Sequence, residues 1–350
     1  MAFRVEITEG EANRRLDRFL FAYLRDAPHP LVYKLLRKKR IKLNRGKADG
    51  AENIVAGDVL DFYLAPDTLA DLRGVVPTVP QAVPLDGIIY EDAEILVVNK
   101  PAGLSAHGGG KLLSDKLPTS NDHLLTRVVW YLHTTGAYDP AGTFTPALCN
   151  RLDTNTSGLV VCGKTLTALQ KYTALFAAGS GNGANMGNDD SADSTPRVIV
   201  KEYLALAEGT LQGEATLTGI YTKNEATNTA KITPLIHPPA DNTNTPPHKL
   251  AITHYRVIAH STGGNKNYTL LSIRLQTGRS HQIRAHLSAI KHPLAGDRKY
   301  GGASTPYAPA QLLHAWRLIT PDNAFIAPPP EGFMWCLRDW FSFADISVLS

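Results

Sequence analysis

From Asp86 onward, apolar residues gather in short runs bounded by turn formers, and this spacing commits most of the chain to strands. The runs are Ile88–Glu91, Ile95–Asn99, Leu159–Cys162, Val198–Leu206 and Leu270–Leu275. At least two helices lie among them. One opens at Thr165, with Leu169, Tyr172 and Phe176 as its apolar stripe; the other opens near Ser280, with Ile283, Leu287 and Ile290. An α+β domain over 86–350 is therefore expected. The chain is 43% hydrophobic and 19% charged, which leaves ample apolar material for a core and excludes a wholly disordered polymer.

Residues 1–65 predict a separate, smaller α+β module. Leu16, Phe19, Leu20, Tyr23 and Leu24 fall at helical spacing, a second helix follows Pro30, and Ile41–Leu43 and Val59–Tyr63 read as strands. Pro66, Pro77, Pro80 and Pro84 mark 66–85 as a semi-rigid linker. Three segments of the larger domain, near 108–122, 179–196 and 237–248, have compositions too poor in apolar residues to bury much surface and read as mobile inserts. No apolar run approaches the roughly 18 residues that span a bilayer, and the first residues lack the pattern of a secretory signal. Cys149, Cys162 and Cys336 form no Cys-x-x-Cys pair, so a reducing, cytoplasmic setting is expected, with no membrane partner.

Charge is distributed unevenly. The net charge is +4; residues 1–65 hold 13 Lys and Arg against 9 Asp and Glu, and the rest of the chain holds 23 of each sign. From Lys34 to Lys47 stand Lys34, Arg37, Lys38, Lys39, Arg40, Lys42, Arg45 and Lys47, with no acid between them. Such a run can be a solvated helix face, but solvation does not require the exclusion of acids over fourteen residues. Lys34, Arg37 and Lys38 share one helix face, opposite Leu31, Leu35 and Leu36. A stripe of this kind fits the phosphates of a nucleic acid.

Gly158 to Thr165 matches the phosphate-loop pattern G-x-x-x-x-G-K-[ST], but in reverse context. Polar residues precede the first glycine, and strand-forming Leu159-Val160-Val161-Cys162 fills the place of the loop. The match is read as a coincidence, Thr165 as a helix N-cap, and no nucleotide cofactor is expected. Just upstream stands Asn150-Arg151-Leu152-Asp153-Thr154-Asn155-Thr156-Ser157-Gly158, where the acid could be a simple turn former. Further on, Thr277-Gly278-Arg279-Ser280-His281-Gln282-Ile283-Arg284 runs from a strand through a turn into a helix. His281 and Arg284 are i, i+3 and point away from the Ile283/Leu287 stripe. The spacing of His281 and His286 is not the i, i+4 of a helical zinc site, so no metal is expected. In Val200-Lys201-Glu202-Tyr203-Leu204, strand alternation puts Lys201 and Tyr203 on one face.

These segments, together with Val98-Asn99-Lys100-Pro101-Ala102-Gly103, Gly296-Asp297-x-x-Tyr300-Gly301 and Leu313-His314-Ala315, make the chain resemble the RluA family of RNA pseudouridine synthases. The basic N-terminal module resembles the αL RNA-binding fold that many members carry. The resemblance implies a mixed, mainly antiparallel sheet with flanking helices in the catalytic domain, preceded by the RNA-binding module. It implies isomerisation of uridine to pseudouridine in structured RNA, by base flipping, without a cofactor, in a monomer; the expected RNA is large-subunit ribosomal RNA. Asp153 is implied as the catalytic carboxylate, Arg284 as its ion-pair partner and Tyr203 as the aromatic that stacks on the flipped uracil. Arg151 is implied to take the place of the extruded uridine, and Arg279, His281 and Gln282 to contact substrate. The family usually has His where this chain has Asn150. Three other readings stay open here: a binding-only ribosome-assembly factor, a synthase acting on transfer RNA, and a glycosidase with Asp297 as its second acid.

Neutralising Lys38, Lys39 and Arg40 together is expected to weaken RNA binding and flatten its salt dependence by roughly 0.9 of a log unit in slope per lost phosphate contact. Titrations of RNA binding at several salt concentrations measure this, and an unchanged slope would mean that the stripe does not touch phosphate.

Overall fold

The computed structural model describes residues 2–108, 122–179, 198–235, 250–262 and 266–342; almost all of the three expected inserts lies outside these residues. The N-terminal module comprises β1 (Phe3–Glu6), β2 (Arg14–Arg15), α1 (Leu16–Tyr23), α2 (His29–Arg37), β3 (Ile41–Leu43), β4 (Asn53–Ile54), β5 (Val59–Phe62) and α3 (Pro66–Arg73). β1, β5 and β3 form a small antiparallel sheet. Its core gathers Phe19, Leu20, Leu36, Ile41, Leu60 and Phe62, so the apolar stripes expected of the two helices do face inward. The first half of the expected linker is instead helix α3. Pro66 sits in its first turn, where a missing N–H breaks no hydrogen bond, and Leu69 is buried in the module core. The module therefore continues to Arg73. Residues 75–87 carry no regular structure, as expected for the remaining prolines.

The larger domain is organised by β6 (Ile88–Glu91), β7 (Ile95–Lys100), α4 (Leu124–Thr134), β8 (Ala147–Leu148), β9 (Ser157–Gly163), α5 (Leu166–Ala178), β10 (Val200–Glu208), β11 (Glu214–Asn224), β12 (Thr229–Pro234), β13 (Leu250–His260), β14 (Tyr268–Leu275), α6 (Gln282–Ala289), β15 (Leu313–Ile319), β16 (Ala324–Ile326) and α7 (Glu331–Trp340). Among the described residues they build an eleven-stranded sheet in the order β12-β11-β13-β14-β10-β15-β9-β7-β6, with β8 and β16 paired to β9 and β15. Neighbours are antiparallel except β9 and β15, which run parallel through His314–Ser157 and Ala315–Gly158. The fold is the mixed, mainly antiparallel α+β sheet that was expected. The sequence pattern did not reveal α4, α7 or the long hairpin of β11 and β12.

Period-2 alternation divides the core. On β10, Tyr203, Ala205 and Ala207 face the layer of α4 and α6, while Leu204 and Leu206 pack on α7 with Phe333, Leu337 and Trp340. On β7 and β9, Leu96, Val98 and Val160 join the first layer; Val97, Leu159 and Val161 pack against Tyr172 and Phe176 of α5. All of β9 is buried, and Thr165 caps α5 by accepting from the Ala168 N–H, so the phosphate-loop match is a core strand. No helix of the described residues is long and apolar enough to cross a membrane.

The module is fastened to the larger domain by polar contacts. Arg14 donates to the Thr143 carbonyl at 3.1 Å and to its hydroxyl, which in turn donates to Glu11 at 2.7 Å. Arg25 donates to the carbonyls of Pro140, Ala141 and Gly142.

Gly158 opens β9 with φ 115°, and a side chain there would meet the backbone of Ala315 on the parallel neighbour. Gly158→Ala is expected to lower stability by about 3 kcal/mol, combining backbone strain with displacement of β15. Urea unfolding monitored by tryptophan fluorescence measures the loss.

Candidate active site

The loop 150–156 joins β8 to β9, and its backbone is fixed from several sides. Asn150 Oδ1 accepts from the Val161 N–H at 2.8 Å and its Nδ2 donates to the Leu159 carbonyl, so the amide standing in the usual histidine's place ties the loop to β9. Lys100, at the end of β7, is wholly buried and donates to the carbonyls of Pro101, Leu104 and Thr154 at 2.8–2.9 Å. Burial pulls its pKa down to about 8, against the negative charge of Asp153. Ser157 Oγ lies 2.8 Å from His314 Nδ1, whose Nε2 is 2.9 Å from the Ala327 carbonyl. A carbonyl can only accept, so His314 donates through Nε2 and, as a neutral ring, accepts from the Ser157 hydroxyl at Nδ1. Asp153 is thus held between anchored neighbours, its side chain 27% exposed.

The second half of the site comes from the turn after β14. His281 adopts φ 55°, a left-handed backbone that turns the chain into α6. Gln282, expected at the substrate, stands on the lining of the site's cavity, where it is buried and its amide is engaged by the turn. It accepts from Thr277 Oγ1 and the Arg279 N–H, and donates to the Ile252 carbonyl and Thr253 Oγ1. Its place is that of a strut holding the turn against β13.

Arg284 reaches Asp153 Oδ2 with Nη1 at 3.4 Å. Its closer partner is Asp297, which takes Nε at 2.7 Å and Nη2 at 2.8 Å in a bidentate pair. The expected ion pair exists, therefore, as the weaker arm of a shared guanidinium. The Arg284 guanidinium also sits 4.7 Å from the centre of the Tyr300 ring. Burial opposes its charge, but Asp297, Asp153 and Tyr300 together raise its pKa above the ordinary value. Asp297 is 1% exposed with both oxygens bound to the guanidinium, so it has no freedom to act as the second acid of a glycosidase.

These elements surround a cavity of about 860 Å³. Asp153 and Tyr203 both line it, and Tyr203 is 8% exposed. Burial, with the charge of Asp153 adding to it, pushes the Tyr203 phenol well above its ordinary pKa, so the ring is neutral at pH 7. Arg151, exposed on the loop, stands on the lining, as do Arg279, Lys201, Lys223, Arg298 and Lys299. Burial brings Lys201 down to about 8. His281 lies with Nε2 3.8 Å from Asp153 Oδ2. Its pKa falls below the usual histidine value, chiefly through burial, with Arg284 and Lys299 also lowering it against the opposing pull of Asp153 and Asp297.

The eight basic residues of the module are elsewhere. Seven are exposed and Lys42 is half-buried; Lys38, Lys39, Arg40 and Lys42 ring a shallow concavity with Tyr63. Sequence reasoning gave no role to Lys100 or Tyr300 and considered Asp297 only as a second acid. Their sole signal was membership in the Asn-Lys-Pro and Gly-Asp-x-x-Tyr-Gly segments.

A family model described as RNA pseudouridylate synthase matches residues 94–289, which include Asp153, Tyr203 and Arg284. The chain belongs to this family. It is 31% identical over 300 residues to ribosomal large subunit pseudouridine synthase D of Yersinia pestis, covering 86% of this chain and 77% of that one. The protein of the same name from Salmonella typhimurium is 30% identical over 313 residues, covering 87% and 79%. Among solved structures, human RNA pseudouridylate synthase domain containing 1 superposes with a TM-score of 0.51 at 22% identity, over 77% of this chain and 96% of that one, and shares the fold. This family member is an RNA pseudouridine synthase by its sequence and carries the fold of the enzymes that it matches.

Asp297→Asn would leave the buried Arg284 without its bidentate anion. It is expected to destabilise the protein by about 3 kcal/mol, as removal of one partner from a buried pair does. Denaturant unfolding of the variant against the parent checks the size of this loss.

Proposed function

We propose that this chain isomerises uridine to pseudouridine in large-subunit ribosomal RNA, with Asp153 as the catalytic carboxylate. The observation that carries the reading is one reachable carboxylate among the described residues that line the cavity, Asp153, paired with Arg284 and approached by His281, in a cation-lined space that also presents the neutral Tyr203 ring. The ribosomal substrate is supported by the names of the relatives that match most of the chain.

The reaction breaks the nitrogen–carbon glycosidic bond, turns the uracil and rejoins it through carbon 5. It is nearly isoenergetic and needs no energy source or redox partner. It needs the nucleotide swung out of its helix, at a cost of a few kcal/mol offset by stacking and hydrogen bonds in the pocket. Tyr203 supplies the stacking face, and Arg151, at the exposed end of the loop, fills the space that the uridine leaves. Asp153 acts at the sugar, with Arg284 favouring its anionic form. The detached uracil carries negative charge while it turns, and the cations and N–H donors of the cavity stabilise it there. The module of residues 1–73 adds phosphate contacts through its basic stripe and retains the RNA while the catalytic domain works as a monomer in the cytoplasm.

Asp153→Asn is expected to keep the fold and RNA affinity and to lose pseudouridine formation, by a factor of at least about 1,000 in rate. Incubation of transcribed large-subunit RNA with parent or variant, with no added cofactor, followed by mapping of modified uridines, measures it. Pseudouridine made at the parent rate by the variant would remove Asp153 from the chemistry. A parent that binds RNA but modifies none would instead favour a binding-only protein.

A further inference from the structure

Tyr300 ends a short 3-10 turn (Arg298–Tyr300) and touches three parts of the site at once. Its hydroxyl oxygen accepts from the Ala230 N–H of β12 at 2.7 Å and lies 2.8 Å from His281 Nδ1. The face of its ring carries the Arg284 guanidinium, and the His281 ring meets it edge-on with centroids 5.7 Å apart. The two side chains that approach Asp153 are thus both held by one phenol.

The hydrogen-bond inventory favours one direction for this chain. The Ala230 N–H can only donate, and it occupies the acceptor side of the phenol oxygen. The phenolic proton then has His281 Nδ1 as its other neighbour, and the neutral imidazole accepts it there. A neutral imidazole that accepts at Nδ1 carries its proton on Nε2. That nitrogen is the one turned toward Asp153 Oδ2, at 3.8 Å, a contact that needs under 1 Å of closure to become a hydrogen bond.

We propose that Tyr300 is a positioning residue of this enzyme: backed by the Ala230 N–H, it holds His281 as the Nε2–H tautomer, so that His281 presents a donor to the Asp153 carboxylate. This assigns His281 to the carboxylate, not to the RNA. It rests on the catalytic role proposed above for Asp153. Two donors then meet Asp153 Oδ2, the Arg284 Nη1 from α6 and the His281 Nε2–H from the turn before it. The first is charged and shared with Asp297; the second is neutral and depends on a single hydroxyl.

Tyr300→Phe removes that hydroxyl and keeps the ring under Arg284. In full-length protein labelled with nitrogen-15 histidine, His281 is expected to show the Nε2–H pattern in the parent and tautomer averaging in the variant. With transcribed large-subunit RNA, kcat for pseudouridine formation is expected to fall about tenfold while RNA affinity is unchanged. His281→Gln, which offers an N–H without a tautomer choice, is expected to retain more activity than His281→Ala, and adding Tyr300→Phe to His281→Gln should cost little more. An Nδ1–H pattern in the parent, an unaltered pattern in Tyr300→Phe, or full additivity of the Tyr300 and His281 losses would overturn the proposal. The nitrogen spectra are read without RNA, so a parent protein inactive on this RNA would count against the function proposed above and still leave Tyr300 tested.

Discussion

A buried guanidinium shared unequally between two carboxylates organises this site. Arg284 is almost fully enclosed, and an enclosed cation needs a close anion to offset its lost hydration. Asp297 fills that need with both oxygens, at 2.7 and 2.8 Å. What remains for Asp153 is one N–H at 3.4 Å. The asymmetry separates two requirements that a single pair would set against each other. A carboxylate in a tight bidentate grip is well stabilised but has its lone pairs occupied; one left alone in a cavity lacks support for its charge. Here Asp297 keeps Arg284 charged and in place, and Asp153 receives orientation from it while its oxygens stay open toward the cavity.

The contact also explains why the sheet is arranged as it is. Asp153 precedes β9, Arg284 rides on α6 after β14, and Asp297 and Tyr300 belong to the stretch between α6 and β15. Gly158 lets β9 and β15 lie side by side at their starts, where a Cβ would strike Ala315. Ser157 and His314 then lock that junction with a buried hydrogen bond. On the other side of β9, Lys100 replaces the hydration of its ammonium with three carbonyls, one of them from Thr154 next to the carboxylate. Each partner of Asp153 is therefore carried by backbone that is itself pinned within the core, which is how a short polar loop can hold a defined geometry.

Much of this was legible in the chain. Strand alternation put Tyr203 on one face and Leu204 on the other, and the Ile283/Leu287 stripe turned Arg284 toward the polar side. Resemblance then linked segments that spacing could not: nothing in the sequence alone says that residues 153 and 284 meet. α4 went unread although its apolar and polar residues segregate by side at least as clearly as those of α5 and α6. α3 was hidden by its own proline, read as a breaker when it sits at the one place in a helix where proline is harmless. Gln282 was legible as a site residue but not as a brace: the partners that the turn's own backbone and hydroxyl groups find in its amide are visible only in the fold. The part played by Tyr300 depends on the direction of a hydroxyl, and direction is a property of the folded neighbourhood alone.

Charge placement ties the two domains to one partner in different ways. The larger domain is close to neutral, with 22 Lys and Arg against 21 Asp and Glu over 86–350, yet cations cluster where its cavity opens; some of its acids are spent elsewhere, in pairs such as Glu202 with Arg274 and Glu91 with Lys164. In the module the surplus is uncompensated and exposed along the stripe. Exposed charge acts on a polyanion over about one Debye length, roughly 8 Å at physiological salt, and is easily screened. Cations in a concave wall with low-dielectric backing act at contact and are screened far less. A strand of RNA would then be gathered by contacts that salt can weaken and read by contacts that it cannot. Orientation, not attraction, is what the cavity adds: its charges matter because Lys100, Asp297 and Tyr300 fix the groups among which a turning uracil would have to be held.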